Sequence, residues 1–233
     1  MLGDLWSFQG RYRTLHLTWI AFFLTFVVWF NLAPLATTVK ADLGLTVGQI
    51  RTVAICNVAL TIPARVLIGM LLDKFGPRIT YSSILVFSAI PCLLFASAQD
   101  FNQLVVARLL LSIVGAGFVI GIRMVAEWFP PKEIGLAEGI YGGWGNFGSA
   151  FSALTMVALA GFLSFSGGFE LPTGAVLNWR GAIALTGIVS AVYGCFYFFN
   201  VTDTPPGKTY QRPAKTAGLE VTSMRDFWGL LGM

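Results

Sequence analysis

The sequence predicts an all-α polytopic membrane protein with six transmembrane helices, and three observations carry that expectation. Of its 233 residues, 56% are hydrophobic and 11% charged, roughly half the charge of a soluble domain. Six apolar runs are each long enough for the roughly 20 residues that span hydrocarbon. Glycine and phenylalanine are abundant, at 26 and 20 residues, and membrane helices tolerate glycine better than soluble ones do. Disorder, a disulfide scaffold and a nucleic-acid partner are all excluded by this composition. The net charge of +4 reads as membrane topology and not as polyanion binding. The partner it implies is the lipid bilayer.

In chain order the spans fall near 15–38, 50–72, 79–98, 103–126, 134–164 and 180–201. The fifth is the longest, and a turn or two at its ends is expected to be loop. Residues 1–14 form a short N-terminal segment, and residues 202–233 form a polar linker after the bundle. The first 14 residues are mixed polar and the run that follows is too long for a secretory signal. If the N-terminus is cytoplasmic, the inner segments hold Arg11, Arg13, Lys74, Arg78, Lys132, Lys208, Arg212, Lys215 and Arg225. The outer ones hold Lys40, Arg51 and Arg180. Basic residues gather on the cytoplasmic side, so both ends of the chain are expected there, in a plasma (inner) membrane.

Chemistry-bearing residues are few. Cys56, Cys92 and Cys195 are far apart in apolar runs, with neither metal nor redox spacing. His16 is the single histidine, and no metal or cofactor site is expected. No nucleophile–base pair supports an enzyme or sensor. Three arginines lie inside spans: Arg65, Arg108 and Arg123. All eleven carboxylates fall in loops, tails or helix ends. A charge at the bilayer centre costs about 2.5–3.5 kcal/mol on insertion scales and marks a ligand site by default. An interior that is cationic without a neutralising acid invites an anion. Arg108 is expected to be structural, by snorkelling or pairing with Asp100, and Arg123 to snorkel or pair one turn away with Glu127.

The turn after span two reads Gly69-Met-Leu-Leu-Asp73-Lys74-Phe-Gly76-Pro-Arg78, in which acid and bases can tie neighbouring helix ends together. It resembles the signature loop of the major facilitator superfamily. Arg108 followed by Gly115 and Gly117, the Trp128-Phe-Pro-Pro-Lys-Glu133 loop, Trp179-Arg180 and Asp203-Thr-Pro205 resemble further phrases of that family. The resemblance implies a six-helix half of a twelve-helix carrier, built from two inverted three-helix repeats, with Gly69, Asp73, Lys74, Gly76, Arg78 and Arg108 in conformational motifs. It also implies a partner: the C-terminal six-helix half. The stretch 223–233 looks like the lead-in to a seventh span.

Span five contains Gly142-Gly143-Trp144-Gly145-Asn146-Phe147-Gly148, which is similar to the signature of the nitrate/nitrite porters within that superfamily. Clustered glycines permit close approach of a helix or a small ligand, and Gly135, Gly139 and Gly143 follow small-xxx-small spacing. Arg65, eight residues before Asp73, matches the spacing of the porters' second-helix arginine. Phe118, twelve residues before Pro130, matches the aromatic they place beside the anion, and Phe26 or Phe30 could be their first-helix aromatic. At a rise of ~1.5 Å per residue, Arg65, Phe118 and Asn146 lie about 12, 13 and 15 Å from one membrane face. That is near the midplane, where carrier sites sit. A guanidinium can give two parallel N–H bonds to a planar oxyanion, which an ammonium cannot. The resemblance thus implies transport of nitrate or nitrite, with Arg65, Asn146, Phe118, Gly143, Gly145 and Phe26 or Phe30 around the substrate. The alternative is a carrier of the same superfamily for another small anion or organic solute.

Overall fold

A computed structural model describes residues 7–210; the stretch 223–233 lies outside them. Among the described residues, six helical segments are long and apolar enough to cross a membrane: Gly10–Asp42, Val47–Phe75, Pro77–Ser97, Phe101–Trp128, Pro131–Ser166 and Trp179–Asn200. All six expected spans are present.

Most are broken rods, and the breaks have chemical causes. Span one is α1 (Gly10–Phe30), a 3-10 turn at Ala33–Leu35 and α2 (Ala36–Asp42). Pro34 starts the turn, because it cannot donate a helical hydrogen bond. Span two is α3 (Val47–Ala59) and α4 (Thr61–Phe75), separated where Pro63 would crowd the carbonyl of Ala59. Span three is α5 (Pro77–Phe87) and α6 (Ala89–Ser97), parted at Ser88, three residues before Pro91. Span four is α7 (Phe101–Ser112), a 3-10 turn at Ile113–Ala116 and α8 (Gly117–Trp128). The interruptions of spans two and four meet: Leu60 N donates to Ser112 Oγ and the Thr61 hydroxyl to Ser112 O. Backbone groups freed in hydrocarbon are thereby satisfied within the protein.

Span five is one long helix, α9 (Pro131–Phe162), which starts on a proline at its first position and ends in a 3-10 turn at Leu163–Ser166. It is longer than the expected run, a correction to the reading that its ends are loop. Gly135, Gly139 and the residues between them stay helical because in an apolar medium every backbone group must bond internally. The all-α expectation holds, with one small addition between spans five and six. After Gly167, β1 (Phe169–Glu170) pairs antiparallel with β2 (Val176–Leu177), Phe169 opposite Leu177. Residues 171–175, with Pro172 and Gly174, turn this small hairpin. α10 (Trp179–Asn200) follows, capped by Asn178, which accepts from Gly181 N.

The packing pairs span one with five, two with four, and three with six, while one and four meet at the centre. Exchanging one with four, two with five and three with six maps this set of pairs onto itself, as two inverted three-helix repeats require. Small residues set the close contacts. The Phe22 ring fills the space a side chain on Gly145 would need, and Gly148 lies on the Phe23 carbonyl. Tyr141 fills the equivalent space at Gly121, and its hydroxyl meets Tyr81 Oη at 3.3 Å and donates to Phe118 O at 3.2 Å. In membranes such van der Waals fit replaces the hydrophobic drive between helices.

Candidate functional site

The bundle has two ends. One carries the hairpin, the other the α4–α5 turn and the exit of α10. At the turn end Gly76 has φ +83°, a conformation that suits glycine, and Pro77 opens α5. The lock on this turn comes from further along the chain than expected. Asp203 Oδ1 accepts from Arg78 N at 2.7 Å, and the Arg78 guanidinium donates to Phe198 O. Tyr210 Oη donates to Leu72 O and Trp128 Nε1 to Thr202 O. Asp73 is exposed and among the described residues makes no ion pair, so the acid expected to lock the turn is not the one that does. Asp203 satisfies one free N–H of the first turn of α5, that of Arg78. Burial raises its pKa, against the lowering pull of the Arg78 N–H bond and charge. Lys74 lies over the Phe75 ring, and Gly69 faces open space.

Arg108 corrects an expectation. It neither snorkels nor pairs with Asp100, whose carboxylate caps α7 by accepting from Gln103 N. Arg108 is 2% exposed. Its Nη1 donates to Asn31 Oδ1 and its Nη2 to Trp29 O, both at 2.9 Å, and its guanidinium lies 5.4 Å from the Phe95 ring. Asn31 in turn donates to Thr186 Oγ1 at 3.0 Å. The physical reason lies in α1: near its C-terminal end the Asn31 side-chain oxygen and the Trp29 carbonyl offer buried acceptors, and Arg108 supplies their donors. Asn31 escaped the sequence reading, although an amide inside an apolar run was its signal. Arg123 pairs with Glu127 at 2.8 Å, as expected.

The residues expected around a ligand separate into three groups. Arg65 sits on α4 beside the buried stripe Thr61, Ala64, Ile68 and Leu72, yet is itself exposed. Among the described residues it has no hydrogen bond and no ion pair. Asn146 is exposed on α9; one amide hydrogen goes to Gly142 O at 2.8 Å, which leaves the other available. Gly143 is exposed, with open space where a side chain would project. It lines an open groove of about 690 Å³ with Gly139, Ile140, Trp144 and Phe147. Phe118 is half-buried, its ring 5.4 Å from Phe22 and 6.2 Å from Tyr141. Phe26 and Phe30 are half-buried and touch each other at 5.6 Å. Gly145 is the exception: it is buried beneath the Phe22 ring, where it serves the packing of α1 on α9.

α4 and α9, which carry Arg65 and Asn146, are not packed directly on one another; α8 packs against both, and Phe118 lies on it. Arg65, Asn146 and Gly143 are each exposed, on helices that α8 joins within a six-helix bundle of internal two-fold order. These features define the class: a six-helix, internally repeated unit of an integral membrane protein.

Residues 18–232 match the family model of the Major Facilitator Superfamily, and the chain belongs to that superfamily. It is 62% identical, over its whole length, to the nitrate/nitrite transporter NrtP of Picosynechococcus sp., of which it covers 46%. Over 99% of its length it is 59% identical to the NrtP of Nostoc punctiforme. It is 31% identical over 75% of its length to the probable nitrate transporter NarT of Staphylococcus carnosus. The chain thus spans about half the length of the first two relatives. Among solved structures it resembles an inward-facing bacterial homologue of the human lysosomal transporter Spinster, with a TM-score of 0.69 at 20% identity. That match covers 95% of this chain and 49% of the other, and it fixes the fold: one six-helix half of a major facilitator.

Proposed function

We propose that the chain forms the N-terminal half of a plasma-membrane carrier that moves nitrate and nitrite by alternating access, with both its ends cytoplasmic. The observation that carries this reading is Arg65: a mid-span guanidinium, exposed on a helix face and without any partner among the described residues. An unpaired cation at that depth is favourable only when an anion or a water-filled cavity meets it. Its fork matches a planar trigonal oxyanion. Asn146 contributes a neutral N–H donor, Gly143 an open stretch of backbone, and the Phe118, Phe26 and Phe30 rings an apolar wall. The second half of the carrier would close over this side. Similarity to two nitrate/nitrite transporters across nearly the whole chain supports the substrate, and the excess of basic residues at the turn end supports the orientation.

In that carrier the halves rock about the central site. Arg65 holds the anion during the exchange of access, and the Asp203–Arg78 clamp keeps the ends of α4, α5 and α10 moving together. The test is uptake of labelled nitrite by the full-length protein in proteoliposomes. Arg65→Lys keeps the charge but loses the bidentate fork, and it is expected to weaken apparent nitrate affinity by at least about tenfold. Retained wild-type affinity would refute the binding role.

A further inference from the structure

We propose that His16 is a proton-binding site that sets the packing of α1 against the Gly142–Asn146 stretch of α9. His16 lies on α1, 7% exposed, with the Phe8 ring stacked on it at 4.8 Å. Trp19 Nε1 donates to His16 Nδ1 at 3.0 Å. An indole nitrogen is only a donor, so Nδ1 carries a lone pair and the neutral ring holds its proton on Nε2. A second proton has one place to go, Nδ1. The imidazolium then has two donors and no acceptor, and Trp19 faces an N–H with its own N–H. The bond is replaced by repulsion, and the indole must turn away.

The turn is transmitted. The Trp19 ring lies 5.6 Å from that of Trp144, which in turn meets Phe147 at 6.2 Å. Trp144 stands between Gly143 and Gly145, two residues before Asn146. Gly145 is wedged under Phe22 and Gly148 on the Phe23 carbonyl. The helices are in tight contact at Gly145 and Gly148, while Trp144 borders the open groove beside Gly143, so a displaced Trp19 moves the Trp144 ring that lines this groove.

The other charged groups at this end are largely engaged. Glu133 of α9 pairs with Arg11 at 2.9 Å, and Arg13 donates to Asn200 of α10. Glu127 of α8 pairs with Arg123. Tyr193 of α10 donates to Leu17 O, and Tyr197 of α10 meets Thr18. Lys132 and Glu138 stand on the first turns of α9. None of these groups titrates by replacing the Trp19 bond, which is particular to His16. Coupling to the anion site rests on the nitrate reading above; the switch itself does not.

The test uses the purified full-length protein, with His16→Gln and Trp19→Phe. The glutamine carbonyl can accept the indole N–H but takes no proton. Tryptophan emission is followed from pH 8 to pH 5, and nitrate affinity is measured at both ends. In the wild type an acid-dependent emission change is expected, together with about a fivefold change in affinity, the scale of a modest coupling between sites. Both should be lost in His16→Gln, and the emission change in Trp19→Phe. An emission profile unaltered by His16→Gln overturns the proposal. Loss of the emission change with the pH dependence of nitrate affinity intact overturns its coupling to α9. If the emission change behaves as expected but the wild type binds no nitrate at any pH, the switch stands and the substrate reading falls.

Discussion

Removing Asn31 tests the buried cation most directly. Asn31→Leu keeps the branched shape and heavy-atom count of the side chain but deletes the acceptor of Arg108 Nη1 and the donor to Thr186. A hydrogen bond to a charged group contributes about 1.5–3 kcal/mol. Interhelical bonds between neutral groups in membranes average about 0.6 kcal/mol. Asn31→Leu should therefore destabilise the fold by about 2–3.5 kcal/mol, because a guanidinium 2% exposed cannot recruit water in exchange. Arg108→Leu alone should also destabilise, by freeing Asn31 and the Trp29 carbonyl. The double variant should cost less than the sum of the two, since no charge is then left buried without its acceptor. The assay is denaturant unfolding of the full-length protein in detergent micelles, read by circular dichroism. Additive effects, or an Asn31→Leu change below about 0.5 kcal/mol, would refute the claim that the pair acts as a unit.

Gly121→Ala places a methyl group inside the Tyr141 ring and should destabilise by about 1–3 kcal/mol, visible as a lower melting temperature; Tyr141→Phe alone should do less. Asp203 has its pKa raised by burial from an ordinary 3.8. The folded state then binds more protons than the unfolded one, so its contribution to stability falls as pH rises from 3.8 through the raised value. Asp203→Asn, which keeps an acceptor for Arg78 N, should flatten that part of the melting-temperature profile; an unchanged profile would show that Asp203 does not supply it. Trp179→Phe removes the 2.8 Å bond to Asp42 and should loosen the hairpin end, measurable as faster proteolysis of residues 167–178 in the full-length protein.

Much of the molecule is written locally. Hydrocarbon forces backbone groups to bond within the chain, so apolar runs of sufficient length had to become the six spans, and Pro34, Pro63 and Pro91 had to break three of them. The position of Arg65 along span two, eight residues before Asp73, is likewise local, because helical rise converts residue count into distance along the helix. Asn146 and Gly143 stand exposed on the side of α9 away from the helices that bury its Tyr141, Gly145 and Gly148 stripe.

What remained hidden depends on partners distant in the chain. Gly145 reads like its neighbour Gly143, and only the arrival of Phe22 from α1 makes it a packing residue. Arg108 reads as a snorkelling base near Asp100; the broken end of α1 captures it instead, 77 residues away in sequence. Asp203, and not Asp73, clamps the α4–α5 turn because the chain leaving α10 passes over the Gly76–Arg78 corner. The Trp19–His16 bond is local, but its link to Trp144 exists only where α1 lies on α9. Periodicity and depth are properties of one segment against the bilayer, so the sequence contains them. Which side chain satisfies which freed backbone group is a property of two segments meeting, and tertiary packing alone decides it.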